Sequence, residues 1–301
     1  MLTWVKEKLL ATTNDLIASK DHDSLVTVAV ASLHWNGIEG CCQNPIFLLK
    51  LRVQNVEIVA EEDIQTISKD DSAGLLEAVV NTVNKSLASA SKYGLQSPEA
   101  TLGTSDVLKA ISRCNSSGGP SGKHWVLDPV DGTLGFVRGD QYVVALALIK
   151  DGQVVLGCPN YPIKTEWLNY HYHGKAWLQS LSSGDKMLEW PNCARLIRVS
   201  STDDPALATL CELVERANSN HSFTAGLAHS VGLRKQPLRV HSMVKYAAIA
   251  RGDAEIFMKF VKSRYKEKIW DHAAGVVIVE EACGVVTDAG GERWTFQREC
   301  T

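Results

Sequence analysis

The stretch Trp125-Val126-Leu127-Asp128-Pro129-Val130-Asp131-Gly132-Thr133 constrains the fold more than any other: a β-prone apolar run ends on two carboxylates, a proline, a glycine and a hydroxyl. The apolar run reads as a buried strand. Pro129 fixes its own φ near −65° and biases the residue before it toward extended geometry, so the chain is expected to leave the sheet at Asp128. Two acids three positions apart are thereby held at one strand end. Hard divalent cations such as Mg²⁺ take oxygen ligands, one or two of them carboxylates, and leave the rest of the shell to water and phosphate. Asp128 and Asp131 meet that demand, and Val130 between them can offer only its carbonyl. Gly132 lets a phosphate approach the backbone, and the Thr133 hydroxyl can orient a water. D-P-x-D-G by itself is better read as a type I turn, so the metal reading needs support from the rest of the chain.

At 301 residues the chain suffices for two lobes with a sizeable core, read here as residues 1–158, carrying an antiparallel sheet and the metal site, and 159–301, an α/β lobe. With 31 basic and 34 acidic residues the net charge is −3, which marks neither a nucleic-acid nor a membrane surface. No apolar run approaches the roughly 18 residues of a bilayer span, and an N-terminus carrying Glu7 and Asp15 lacks a signal-peptide core. A soluble intracellular protein, in the cytoplasm or an organelle, and monomeric, is expected. The 8 cysteines show no C-x-x-C pairs and include adjacent Cys41 and Cys42, so free thiols in a reducing compartment are expected.

In chain order, residues 2–18 read as an amphipathic helix and Val26–Val30 as a short strand; residues 31–50 have no clear period. Val56–Ala60 alternates as a strand and runs into Glu61-Glu62-Asp63. Helices are expected from Ser72, with Leu75, Leu76, Val79, Val80, Val83 and Leu87 at helical spacing, and from Thr104. Tyr142–Ile149 and Gln153–Leu156 read as strands joined by an Asp151-Gly152 hairpin. Residues 161–193, rich in Tyr, His, Trp and Ser, read as irregular surface, with His171 and His173 solvated. Then come an extended Ile197–Ser200, a helix from Asp204-Pro205 through Ala217, a short helix near Ala225 closed by Gly232, a strand Leu238–Ser242, a helix Met243–Arg251, a strand Ala254–Phe260, and a helix Ala273–Ala282 ended by Gly284. A strand at Val285–Thr287 follows. The alternation argues for an α/β lobe, with Asp271 at the mouth of the last helix, where an anion meets unpaired N–H groups.

Three motifs in order, Glu61-Glu62-Asp63 after a strand, Asp128-Pro129-Val130-Asp131-Gly132-Thr133, and Trp270-Asp271-His272-Ala273-Ala274-Gly275, resemble the inositol monophosphatase superfamily of Mg²⁺-dependent, lithium-sensitive phosphomonoesterases. His124–Leu127, Gly135–Tyr142 and Tyr265–His272 resemble its plant-type 3′(2′),5′-bisphosphate nucleotidase branch. The resemblance implies an α/β (α+β) fold, a layered αβαβα sandwich. It also implies release of the 3′-phosphate of adenosine 3′,5′-bisphosphate, a by-product of sulfotransfer, to give AMP, with the sulfated precursor as a second substrate. Carried over position by position, Glu61, Asp128, the Val130 carbonyl, Asp131 and Asp271 would hold two or three Mg²⁺. Such ions activate the attacking water and stabilise entering and leaving oxygens. Glu61, Asp128 and Thr133 are the implied catalytic residues, Thr133 orienting the water. Thr133, His221, Ser242, Lys245, Lys259 and Asp271 are the implied substrate contacts, Lys259 standing where relatives often have arginine.

The chain departs from the family pattern at four places. Relatives continue V-T-V-A with an aspartate that serves as base; here that position is Val30. Leu134 follows Thr133 where many relatives have lysine, residues 164–176 are shorter than the usual hairpin region, and relatives add a strand and helix after Thr287–Gly291, so the implied sandwich is incomplete at the C-terminus. Two other functions are therefore carried forward: hydrolysis of inositol phosphates, and a catalytically impaired nucleotide- and metal-binding protein.

Overall fold

The computed structural model describes residues 56–61, 73–88, 100–112, 114, 116–138, 140–161, 167–171, 174–180, 194–215, 219–261 and 265–296. The helix expected over residues 2–18, the strand at 26–30, Val30 itself, Glu62, Asp63 and His173 lie outside them. The chain divides into two units, Met1–Gly118 with Gly184–Asn192 and Gly119–Ser183 with Cys193–Thr301. No helix among the described residues is long and apolar enough to cross a membrane.

In the first unit, β1 (Glu57–Ala60) is followed by α1 (Ala73–Ala88) and α2 (Thr104–Ser112). Val79 and Val83 on α1 are buried, as their spacing predicts, and so are Val107, Ala110 and Ile111 on α2. Asn84 ties the two helical segments together, its amide donating to the Leu102 carbonyl and its oxygen accepting from the Leu102 N–H at 2.8 Å. The segment after α2 runs beside β1, where Ala60 N–H donates to the Cys114 carbonyl and Ser116 N–H to that of Ile58.

In the second unit β2 (Lys123–Asp131), β3 (Val143–Lys150), β4 (Gln153–Tyr161), β5 (Trp167–His171), β6 (Ala176–Ser180) and β7 (Ala194–Leu196) follow one another as an antiparallel meander. The β3–β4 turn is the expected one: Asp151 and Gly152 both have positive φ, 50° and 74°, as a two-residue hairpin matched to strand twist requires. β5 and β6 correct the reading of 161–193 as irregular. Trp and Tyr are good strand residues, and pairing supplies the order that a weak alternation does not advertise. The strand also does not end at Asp128. It continues to Asp131 through a bulge in which Asp128 pairs with Ala145 and Asp131 with Val143, so one extra residue is carried. Pro129 has no N–H to give a ladder, and bulges are where a strand tolerates it.

The rest of this unit is α/β, as expected. A short 3₁₀ turn at Pro205–Leu207, capped by the Asp204 carboxylate, leads straight into β8 (Leu210–Leu213), so the helix expected through Ala217 is absent. All four β8 residues are buried, and β8 pairs in parallel with β9 (Leu238–Val240) and β10 (Ile256–Phe257). A central parallel strand buries both faces, and that packing outweighs helical propensity. β9 and β10 are shorter than expected. Three helices complete the unit: α4 (His221–Ser230), α5 (Val244–Ala250) and α6 (Ala273–Glu281), beside the five-residue α3 (Thr133–Val137). From Ala273 to Val279 every residue of α6 is buried, the mark of a helix packed on more than one side. It lies against β4, where Gly157 makes room: a Cβ there would stand 2.3 Å from Val277 Cγ1. Past α6 the left-handed residue is Cys283, φ 69°, rather than Gly284.

Candidate active site

The bulge in β2 builds the site. With Asp128 and Asp131 on either side of it, Val130 N–H donates back to Asp128 Oδ1 at 3.0 Å, and the Thr133 hydroxyl donates to the Val130 carbonyl at 3.2 Å. Gly132, φ 86°, turns the chain from β2 into α3, a conformation open to a residue without Cβ. Asp128 and Asp131 are both buried.

Asp271 joins them from a segment 140 residues further along. Oxygen atoms of Asp128, Asp131 and Asp271 lie within 4.8 Å of one another. Asp271 sits in a 3₁₀ turn, Ile269–Asp271, with His272 and not Asp271 at the N-cap of α6; its Oδ2 accepts from the Lys268 N–H at 3.3 Å. Three carboxylates drawn this close, two of them buried, repel unless positive charge is supplied. Oxygen-only donors in a close group are what a hard divalent ion selects, so the residues fit such an ion. Both Asp131 oxygens accept a hydrogen bond, from the Ser242 hydroxyl and from the Met243 N–H at 2.6 Å.

Lys245, on α5, is wholly buried beside this group, its Nζ 3.5 Å from the Asp271 carbonyl and over the Tyr246 ring. Burial pulls its ammonium below the ordinary lysine range, and Asp131 pulls it back.

Behind Asp271 runs a relay that the sequence reading did not single out. Glu267 pairs with Lys259 at 2.5 Å and with His272 Nε2 at 3.0 Å, and His272 Nδ1 meets the Tyr246 hydroxyl at 2.6 Å. Burial would raise the Glu267 carboxyl, but its bonds to His272 and Lys259 outweigh that and bring it down to about 2. Burial lowers the His272 imidazole against the pull of Glu267. A neutral ring facing a carboxylate carries its proton on Nε2, so Nδ1 accepts from Tyr246. Glu267, Asp271 and His272 also form a second close group, but Glu267 is engaged by an ammonium and both His272 nitrogens are taken. No spacing in the sequence marks this relay, since Tyr246 and Lys259 reach it from other segments.

Glu61 is exposed at the end of β1 in the first unit. His221 opens α4 with its Nδ1 3.4 Å from buried Glu212, which also takes Arg239 at 3.2 Å. Lys259 is held by Glu267 and lies over the Tyr265 ring.

Residues 46–300 match the model of the inositol monophosphatase family, and the chain belongs to that family. It is 56% identical over 325 residues to the 3′,5′-bisphosphate nucleotidase AHL of Arabidopsis thaliana, covering 98% of this chain and 83% of that one. It is 40% identical over 244 residues to 3′(2′),5′-bisphosphate nucleotidase 1 of the same plant, covering 77% and 68%. Among solved structures, CysQ of Bacteroides thetaiotaomicron, a bacterial member of the family, shares the fold with a TM-score of 0.53 over 92% of each chain at 16% identity.

Proposed function

We propose that this protein is a Mg²⁺-dependent phosphomonoesterase that removes the 3′-phosphate of adenosine 3′,5′-bisphosphate to give AMP and phosphate, with the sulfated precursor as a second substrate. The observation that carries the reading is the close group that buried Asp128 and Asp131 form with half-buried Asp271 in a chain so similar to named bisphosphate nucleotidases. Those three, with Glu61 and the Val130 carbonyl, would hold two or three Mg²⁺. A divalent ion so held supplies Lewis-acid polarisation of the phosphate and lowers the pKa of a water. The Thr133 hydroxyl spends its proton on the Val130 carbonyl, which leaves its lone pairs to accept from and orient that water. Buried Lys245 offers positive charge, Ser242 a hydroxyl, and His221 and Lys259 further contacts to sugar and 5′-phosphate. The expected setting is the cytoplasm, with the protein acting as a monomer.

Phosphate release from adenosine 3′,5′-bisphosphate, from its sulfated precursor and from an inositol phosphate, with Mg²⁺ and with chelator, tests this. Release is expected with both nucleotides, faster than with the inositol phosphate and abolished by chelation. No release above the enzyme-free blank would contradict it. Val30, standing where the resemblance implies a base, favours a second reading, a chain that binds metal and nucleotide but turns over slowly.

A further inference from the structure

Three residues other than glycine have positive φ among those described: Asp151 in the β3–β4 hairpin, Cys283 at the end of α6, and Ser242, φ 49°. The first two occupy places where chains commonly turn left-handed. Ser242 occupies neither, so its conformation, which side chains rarely adopt, must be imposed by its surroundings. The residues on either side of it do so. Met243, fully buried, donates its N–H to Asp131 Oδ2. His241, whose side chain is only 4% exposed, has a carboxylate on each ring nitrogen: Glu215 Oε1 lies 2.6 Å from Nδ1 and Asp140 Oδ2 3.3 Å from Nε2. Its own N–H donates to Gln141 Oε1 at 3.3 Å.

The facing loop is shaped to receive this turn. A Cβ on Gly132 would lie 3.0 Å from Ser242 Cβ, and one on Gly135 would lie 3.2 Å from the His241 ring and 2.2 Å from the Gln141 carbonyl oxygen. Two glycines of the Gly132–Gly135 segment thus admit two consecutive residues from the other side of the chain.

We propose that His241 is a positioning residue for the cation centre: clamped between Glu215 and Asp140, it locks Ser242 left-handed, so that the Ser242 hydroxyl and the Met243 N–H both close on Asp131. His241 touches neither the clustered carboxylates nor, in the function proposed above, the substrate; it acts through Ser242. Resting on that function, the same turn ties the cation centre to the nucleotide contact made by Ser242, so loosening it weakens both.

The test measures Mn²⁺ binding by calorimetry on the full chain and its variants, with thermal denaturation alongside. An asparagine at 241 places its amide nitrogen about where Nδ1 stands and keeps a donor for Glu215. His241→Asn is therefore expected to hold the Mn²⁺ Kd within about threefold, whereas His241→Ala raises it about 10- to 100-fold, the range for residues that orient metal ligands. Should His241→Ala not fold, Glu215→Ala, which removes the nearer carboxylate, is expected to raise the Kd about tenfold. Variants that melt lower yet bind Mn²⁺ as the unaltered chain does would overturn the proposal. The phosphatase reading fails separately: a chain that shows this Mn²⁺ contrast but releases no phosphate keeps the clamp and loses the reaction.

Discussion

Ser242 and Asp131, 111 positions apart, share a hydrogen bond in which the hydroxyl donates to the carboxylate, and the next N–H closes on the other oxygen. An acid expected to hold a cation and a hydroxyl expected to meet the nucleotide are thus one structural unit. Ser242→Ala removes one of the bonds that orient Asp131. It is expected to lower cation affinity and phosphate release about 10- to 100-fold, read by Mn²⁺ calorimetry and by phosphate release; unchanged values for both would refute the unit.

Gly275 carries a steric prediction. A Cβ there would lie 2.1 Å from the Tyr246 ring, and the same ring carries the hydroxyl that holds His272. Gly275→Ala is expected to cost about 1–3 kcal/mol, the range for overpacking a filled core, read by denaturant unfolding.

Glu267 carries a pH prediction. Its folded carboxyl lies at about 2, below the ordinary 4.5, so the folded state holds fewer protons than the unfolded chain between those values. Its contribution to stability is complete above pH 4.5 and is lost as pH falls toward 2. Glu267→Gln, which cannot titrate, is expected to flatten that part of the acid limb in pH-dependent melting, and an unchanged slope would count against the relay.

Val30 carries a kinetic prediction. A missing general base typically costs about 10² to 10⁴ in rate. Val30→Asp is therefore expected to raise kcat on adenosine 3′,5′-bisphosphate by that order with little change in KM; an unchanged kcat would remove the second reading proposed above.

Much of this was legible in residues whose signal is local. Asp151-Gly152 specifies its hairpin through backbone conformation alone, and the apolar run before Asp128 reads as the buried strand it is. Asp128, Asp131 and Asp271 were legible through motif chemistry, and they do converge. Residues 205–217 were not legible, because what decides between helix and strand at Leu210–Leu213 is parallel pairing on both sides by segments distant in sequence. Pro129 suggested a chain leaving the sheet, since the sequence does not display the partner strand that accommodates a bulge. His241, Tyr246, Glu267 and His272 carry roles set by hydrogen bonds across 5 to 101 positions, and no spacing rule predicts those.

Calorimetric titration of Mn²⁺ into the unaltered chain and into Asp128→Asn tests the central claim directly, since it does not depend on turnover. The account predicts saturable binding to the unaltered chain, weakened at least about tenfold in the variant, as loss of a carboxylate ligand from a hard-cation site requires. Equal binding by the two, or none by the unaltered chain, would contradict it.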